Sequence, residues 1–478
     1  MLSGVRWRWA IGIGLLLAVF STLAAAAPQV DSTIYLPLVL RSPVVQTSTN
    51  LPVFSATHIG GSGSDAASAV DVDLSGNVIW AGLLVGANPV IDGVAPVTLL
   101  GGGVGAIVRF DSSGTSVLSV TRIGTNVRDL EIGGAGPMVV CGDFGVAVLN
   151  ASASSVLWSA TPGAVRRCAI GSDGTTAASV GAQIYAYAPS GQPLGSWSSG
   201  GATGDPDALD LAVASASQAV IVTGYKQKTN DLQVAFLSAW SYSGAPRWTS
   251  YDFSASAVNG ANISADTRGR RVAIGRDGKL YFAGSINGGT GASIFSRDPK
   301  NLTLTLGGDR SVSTDPYNTS TNTGSVSIIW YGRYNPADGS LEKGQSALTR
   351  KDDGKGNSIG IKTIAADEAG RIYLGGDAYY QIHNRAARQV AGTTVGPYAS
   401  GEAYLLVVSA DLRERHIWTG FAGPAVSAGG SPVVGVAVRK GIAAIAITLN
   451  NGRLITTANA LQPSPGPLAD GYLAVWRQ

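Results

Sequence analysis

One pattern of apolar and polar positions recurs along this chain. A short run alternates apolar and polar residues, a glycine-bearing turn follows, and a second run closes near another glycine. Ala69-Val-Asp-Val-Asp-Leu-Ser-Gly-Asn-Val-Ile-Trp-Ala-Gly82 is one copy. Arg271-Val-Ala-Ile-Gly-Arg-Asp-Gly-Lys-Leu-Tyr-Phe-Ala-Gly284 and Ile364-Ala-Ala-Asp-Glu-Ala-Gly-Arg-Ile-Tyr-Leu-Gly-Gly376 are two more. A further strand-like phrase follows each, beginning at Ala106, Ile328 and Tyr404, and leads into one more strand. Alternation with a period of two marks half-buried strands. Four hairpin-linked strands per unit make one blade of a β-propeller. First strands are expected near Val70, Leu130, Cys168, Leu211, Val272, Ile364 and Val434. The reading is therefore all-β, a β-propeller of about seven four-stranded blades. Six or eight also fit, because degenerate repeats hide their boundaries.

The two ends of the repeat region complement each other. The last unit stops at Tyr472-Leu-Ala-Val-Trp-Arg-Gln478, which matches a third strand and leaves the fourth missing. Leu51-Pro-Val-Phe-Ser-Ala-Thr-His-Ile-Gly60 precedes the first full unit and has the character of a fourth strand. An N-terminal strand completing the last blade closes the ring and removes an open sheet edge at the seam.

Gly60-Gly-Ser-Gly-Ser-Asp65 with Asp73-Leu-Ser-Gly-Asn-Val-Ile-Trp-Ala-Gly82 resembles the bacterial β-propeller repeat called SBBP. Ile455-Thr-Thr-Ala-Asn-Ala-Leu-Gln-Pro463, followed by Asp470-Gly-Tyr-Leu-Ala-Val475, resembles its middle section. The resemblance covers units one, six and seven closely and units two to five loosely. It implies a propeller and an exported location. It implies no shared catalytic residues and no set ligand.

Before the repeats, the pattern changes. Arg6 and Arg8 precede an apolar run from Trp9 to Phe20, and Ala24-Ala25-Ala26 offers small residues before a cut. This is the layout of a signal peptide over 1–26; an uncleaved anchor is the alternative, although the run is short for a spanning helix. A linker over 27–50 holds the apolar stretch Ile34–Arg41, and 51–478 forms a single propeller domain. No other sustained apolar run occurs, so the mature chain is expected to lack a transmembrane segment and to be secreted or held at the cell envelope. Only 14% of residues are charged, 45% are hydrophobic and 64 are glycine, a balance suited to short strands and tight turns. Formal net charge is +3, and removing Arg6 and Arg8 with the signal lowers it to +1. Such a balance gives no general case for nucleic acid.

Strand alternation sorts the loops by face, since successive connections fall at opposite ends of a blade. The short turns share one face. The long segments Gly86–Gly103, Asn287–Ser325, His383–Ser400 and Asn450–Ala469 share the other, with the inter-blade loops Asp252–Arg268 and Lys351–Asn357. Long loops on a rigid scaffold are where binding concentrates, though they also tolerate drift. Asp315, Tyr317, Tyr379, Tyr380 and His383 lie in or beside them as candidate binding residues. Aromatics beside polar groups suit sugar or peptide, and they suit ordinary loop packing as well.

Other constellations carry less chemistry. Asp71, Asp73 and Ser75 before Gly76 match the start of a calcium loop, but Gly82 stands where a closing Glu belongs, so a plain strand and turn competes. Cys141 and Cys168 either form a disulfide in an oxidising compartment or remain buried thiols. Trp158, Trp197, Trp248 and Trp418 recur in fourth-strand regions, and Gly244-Ala-Pro-Arg-Trp248 partly resembles the spacing of quinoprotein propellers, in which docked tryptophans hold blades together. No quinone or metal ligands match, and no Gly-x-Ser-x-Gly elbow, H-E-x-x-H or phosphate loop is present. The expectation is a monomeric, non-enzymatic propeller without cofactor, binding protein or glycan on its long-loop face. A carbohydrate-active hydrolase or lyase working in the central depression is the alternative, and a structural envelope protein is another. Clustered carboxylates, Arg or His at the channel mouth would point to the enzyme, and a plain mouth with an exposed aromatic patch to binding.

Overall fold

The computed structural model describes residues 50–205, 207–319, 326–424, 426 and 428–478. The signal segment 1–26 and the linker up to residue 49 lie outside these, as does the stretch Ile34–Arg41. The repeated phrases fold as antiparallel sheets. In blade 1, Ala66–Val72, Val78–Leu83, Gly105–Phe110 and Val117–Ile123 pair in chain order. Five further sheets follow the same order, with innermost strands Val127–Ile132, Arg167–Ile170, Leu209–Ala214, Asp266–Ile274 and Thr363–Ala366. The next sheet starts from Val433–Arg439, runs through Ile442–Leu449 and Asp470–Arg477, and ends on Val53–Ile59. His58 stands opposite Tyr472 in that last pairing. The N-terminal strand therefore completes the last blade.

Each innermost strand packs beside the next, and the strand at Val433 meets both the one at Thr363 and the one at Ala66, so the circle closes on itself. Each cleft between neighbouring blades holds its own apolar cluster; Trp80 and Leu473 share one, Ile221 and Phe282 another. Blades buried on both faces explain the near-continuous apolar runs of the middle strands. Eight sheets with three or more strands occur among the described residues. The sequence count of about seven units leaves out the eighth, in which Asn50–Leu51 runs parallel to Gln389–Val390, itself paired with Thr393–Thr394. Its pairings are two residues long and come from loop and linker, so no periodicity announces them.

Turn chemistry fixes the hairpins. Gly76, Gly136, Gly174, Gly278 and Gly370 occupy the same place in five first hairpins, all with φ between +76° and +104°. This left-handed backbone is open to glycine at no steric cost. The one α-helix described, Ala255–Gly260, sits in the loop before Asp266. Among the described residues no helix is long and apolar enough to cross a membrane.

Candidate functional site

An innermost strand has a free edge facing the axis, and its N–H groups need partners. Acidic side chains supply several. Asp71 Oδ2 accepts from the Ile132 amide at 2.7 Å, Asp129 Oδ2 from Cys168 at 3.2 Å, Glu131 Oε2 from Ile170 at 3.1 Å and Asp210 Oδ2 from Val272 at 2.9 Å. Each carboxylate belongs to one blade and caps the strand of the next. Taking these acids out of water favours their neutral form. Burial, opposed by Arg167, pushes Asp129 up to about 6. Burial with Asp71 nearby pushes Glu131 up to about 8.

On the long-loop face, sharing Lys362 with the channel wall, lies a cavity of about 490 Å³. Asp205 and Asp207 reach it from the connection into blade 4, Arg270 from the first strand of blade 5, and Lys362 from the connection into blade 6. Lys362 Nζ lies 2.6 Å from Asp207, Arg271 lies 2.8 Å from it, and Arg167 3.3 Å. Burial alone would raise the Asp207 carboxyl, but these three cations hold it far below the usual range. Arg270, 2.5 Å from Asp205, likewise keeps that acid low against burial. Ser285, Ser327, Asn357 and Ser358 add hydroxyls and an amide to the wall. Tyr379 lines the cavity too, with 52% of its surface exposed.

The five predicted binding residues reach three different places. Tyr379 alone lines the cavity. Tyr380 stacks at 4.9 Å on Tyr398 and donates its hydroxyl to Asp352 at 3.2 Å. Asp315, Tyr317 and His383 come together around Arg415: Asp315 pairs with its guanidinium, and the Tyr317 ring meets His383 at 5.3 Å and Trp418 at 5.5 Å. That third group is tied to itself and partly buried, which is loop packing. Sequence reasoning missed Asp205, Asp207, Arg270 and Lys362. A usable signal was present, since each charge stands within a few residues of the start of an apolar first strand or at its bulge, where alternation places it near the axis.

At the calcium-like phrase, the carboxylates are taken by protein donors. Asp73 Oδ1 accepts from the amides of Ser75 and Asn77, and its Oδ2 pairs with Arg109 at 2.9 Å. Asp71 faces the channel and also meets Arg276 at 3.4 Å. The arrangement is that of a strand followed by an acid-capped turn. Cys141 and Cys168 are joined as a disulfide between blades 2 and 3, with Cα atoms 6.2 Å apart.

No family model and no curated protein matches the chain. Among solved structures, it is similar to the WD40 domain of Neurospora crassa Pan2, at 10% identity over 86% of this chain and 89% of that one, with a TM-score of 0.34. It is also similar to the quinohemoprotein alcohol dehydrogenase of Comamonas testosteroni, at 9% identity over 71% and 73%, again with a TM-score of 0.34.

Proposed function

We propose that this chain is an exported propeller of the SBBP type that acts as a binding module, holding a protein or glycan ligand on its long-loop face at the channel mouth. The observation that carries the reading is the 490 Å³ cavity there, a size suited to a small bound group. Its wall is polar, rigidly backed by blades 4 to 6, and flanked by an exposed aromatic ring. The mouth carries the clustered carboxylates and arginines that would point to an enzyme, but Asp205 and Asp207 are tied up in ion pairs with Arg270, Arg271 and Lys362, which supports binding over catalysis. A general acid needs a raised pKa at the site. Asp205 and Asp207 are instead held low by their cations, and the raised Asp129 and Glu131 are engaged with backbone amides deeper in the channel. Export is supported by the signal layout over 1–26 and by the disulfide.

The test is retention on isolated bacterial envelopes. Asn357→Trp fills the cavity rim and should abolish retention, while Ser112→Trp, on the short-turn face, should leave it intact. Equal retention of the two variants would remove the site assignment.

A further inference from the structure

We infer that the cavity at the channel mouth takes one unit of a neutral oligosaccharide, and that Tyr398 and Tyr380 carry the following units outward across blade 6. This inference rests on the binding reading given above and names the ligand class of that site.

The first argument is charge. Asp205 is neutralised by Arg270, and Asp207 by Lys362 and Arg271. A uronate or a phosphate would have to break one of these internal pairs to gain a partner of its own. Truncating or displacing one member of a desolvated ion pair is costly, because the other charge is left unmatched. A polyol makes no such demand.

The second argument is hydrogen-bond type. Serine hydroxyls both donate and accept, and an asparagine amide offers one of each kind. Ser285, Ser327, Ser358 and Asn357 therefore match ligand hydroxyls, which also do both. The third is aromatic surface. Among the described residues Tyr379 is one of the few large apolar side chains left open to solvent. The next residue, Tyr380, meets the Tyr398 ring at 4.9 Å in a tilted pair. Tyr379 on the cavity wall and the adjoining pair of Tyr380 and Tyr398 fit a linear chain better than a single sugar. Rings with a polar tip serve such half-wet surfaces well.

A protein partner fits less well. A stable interface covers roughly 800 Å² on each side around an apolar centre. The exposed large apolar residues on long-loop segments are Leu100, Leu304, Tyr379 and Leu468, one from each of four blades.

The experiment uses the full mature chain on an array of neutral oligosaccharides printed beside uronate-containing and sulfated ones, with titration calorimetry of any hit. A neutral hexasaccharide should bind, its disaccharide at least tenfold more weakly. Tyr379→Ala should weaken binding at least tenfold and Tyr380→Ala severalfold, with circular dichroism unchanged. Tyr379→Phe, which keeps the ring, should retain most affinity. Failure of every neutral glycan to bind, or binding indifferent to Tyr379→Ala, overturns the inference. Two of these failures are told apart by the cavity-filling variant. A charged glycan or a protein whose binding is lost in Asn357→Trp overturns the neutral-glycan assignment while the site stands. A neutral glycan indifferent to both Tyr379→Ala and Asn357→Trp overturns the site as well.

Discussion

Gly191 has φ of +85°, and a Cβ placed there would lie 2.8 Å from the Trp158 ring. Trp158 belongs to the fourth strand of blade 2, Gly191 to the last turn of blade 3, and the indole N–H donates to the Pro189 carbonyl at 3.0 Å. Trp197 sits on Gly244 in the same way, and Trp248 on Gly339. Tryptophans thus dock successive blades, and glycine is required twice over, for its backbone and for its missing side chain. Gly441 separates the two requirements: its φ is +74°, with nothing within 4 Å of a built Cβ. Gly441→Ala should cost about 1 kcal/mol, the left-handed backbone alone. Gly191→Ala should cost about 2–4 kcal/mol, because overlap with the indole is added. Urea titrations of the two variants check the difference; equal losses would mean that the docking contributes nothing. Glu131 allows a second test at this scale. Its folded pKa, about 8, stands above its ordinary value near 4.5, so the folded state binds the extra proton and the group's contribution falls as pH rises through that interval. Asp129 and Asp470, both raised to about 6, act in the same direction lower down, and His58, lowered by burial and by Arg453 to about 4, acts in the opposite one. The window from pH 7 to 9 therefore belongs mainly to Glu131. Glu131→Gln should match the parent near pH 5 and exceed it by about 1–3 kcal/mol at pH 9. Parallel stability curves for the two chains across that window would contradict the assignment.

At the scale of the element, the closing strand decides whether the last blade has four strands or three. Val53–Ile59 covers the edge of Asp470–Arg477, while Ala56 and Thr57 bond the long loop at Thr457 and Gln462. Deleting residues 50–59 should expose that edge and produce aggregation or a large loss of stability. Deleting 31–47 should change little. Thermal unfolding and light scattering of both deletions check this, and equally mild effects would argue against the closure. This element was legible because two incomplete phrases at opposite ends of the chain complement each other. The first strands were legible for a related reason: Val70, Leu130, Cys168, Leu211, Val272, Ile364 and Val434 all fall on innermost strands, each the start of an apolar run before a turn. The site was less legible. Tyr379 and Tyr380 carry aromatic signals that pattern reading detects, and the structure puts Tyr379 on the cavity wall. Asp207 and Lys362 carry only their place just before an apolar first strand, and their pairing depends on how the ring brings the start of blade 4 and the start of blade 6 to one axis. Asp315, Tyr317 and His383 have the same loop character as Tyr379, yet the guanidinium of Arg415 gathers them into a packed cluster away from the cavity.

Across the whole molecule, a ring of blades is held at its clefts, and the cleft between blades 2 and 3 carries the covalent link. Its apolar cluster is the smallest of the set, built from Val139, Val146, Val165, Ala178 and their neighbours. Those two blades are also the most compact, with no long insertion to brace them. Cys141 lies on the second strand of blade 2 and Cys168 on the first strand of blade 3, both inside the apolar cluster of that cleft. The bond closes a loop with a sequence separation of 27. Chain entropy alone assigns such a loop about 3–4 kcal/mol. The link also fixes the neighbourhood of Asp129, whose carboxylate receives the Cys168 amide beside the sulfurs. Two results should follow. The denatured, unreduced protein should show no titratable thiol, and two thiols would reject the bond. The Cys141→Ala/Cys168→Ala double variant should keep its strand content by circular dichroism but unfold at lower urea, by about 2–4 kcal/mol. The loss should appear first in hydrogen exchange at amides of the blade 2–3 cleft, such as that of Ile170, before the far side of the ring at Val436. Uniform loosening of all blades would show instead that the ring unfolds as one unit, with the bridge acting on the unfolded chain alone.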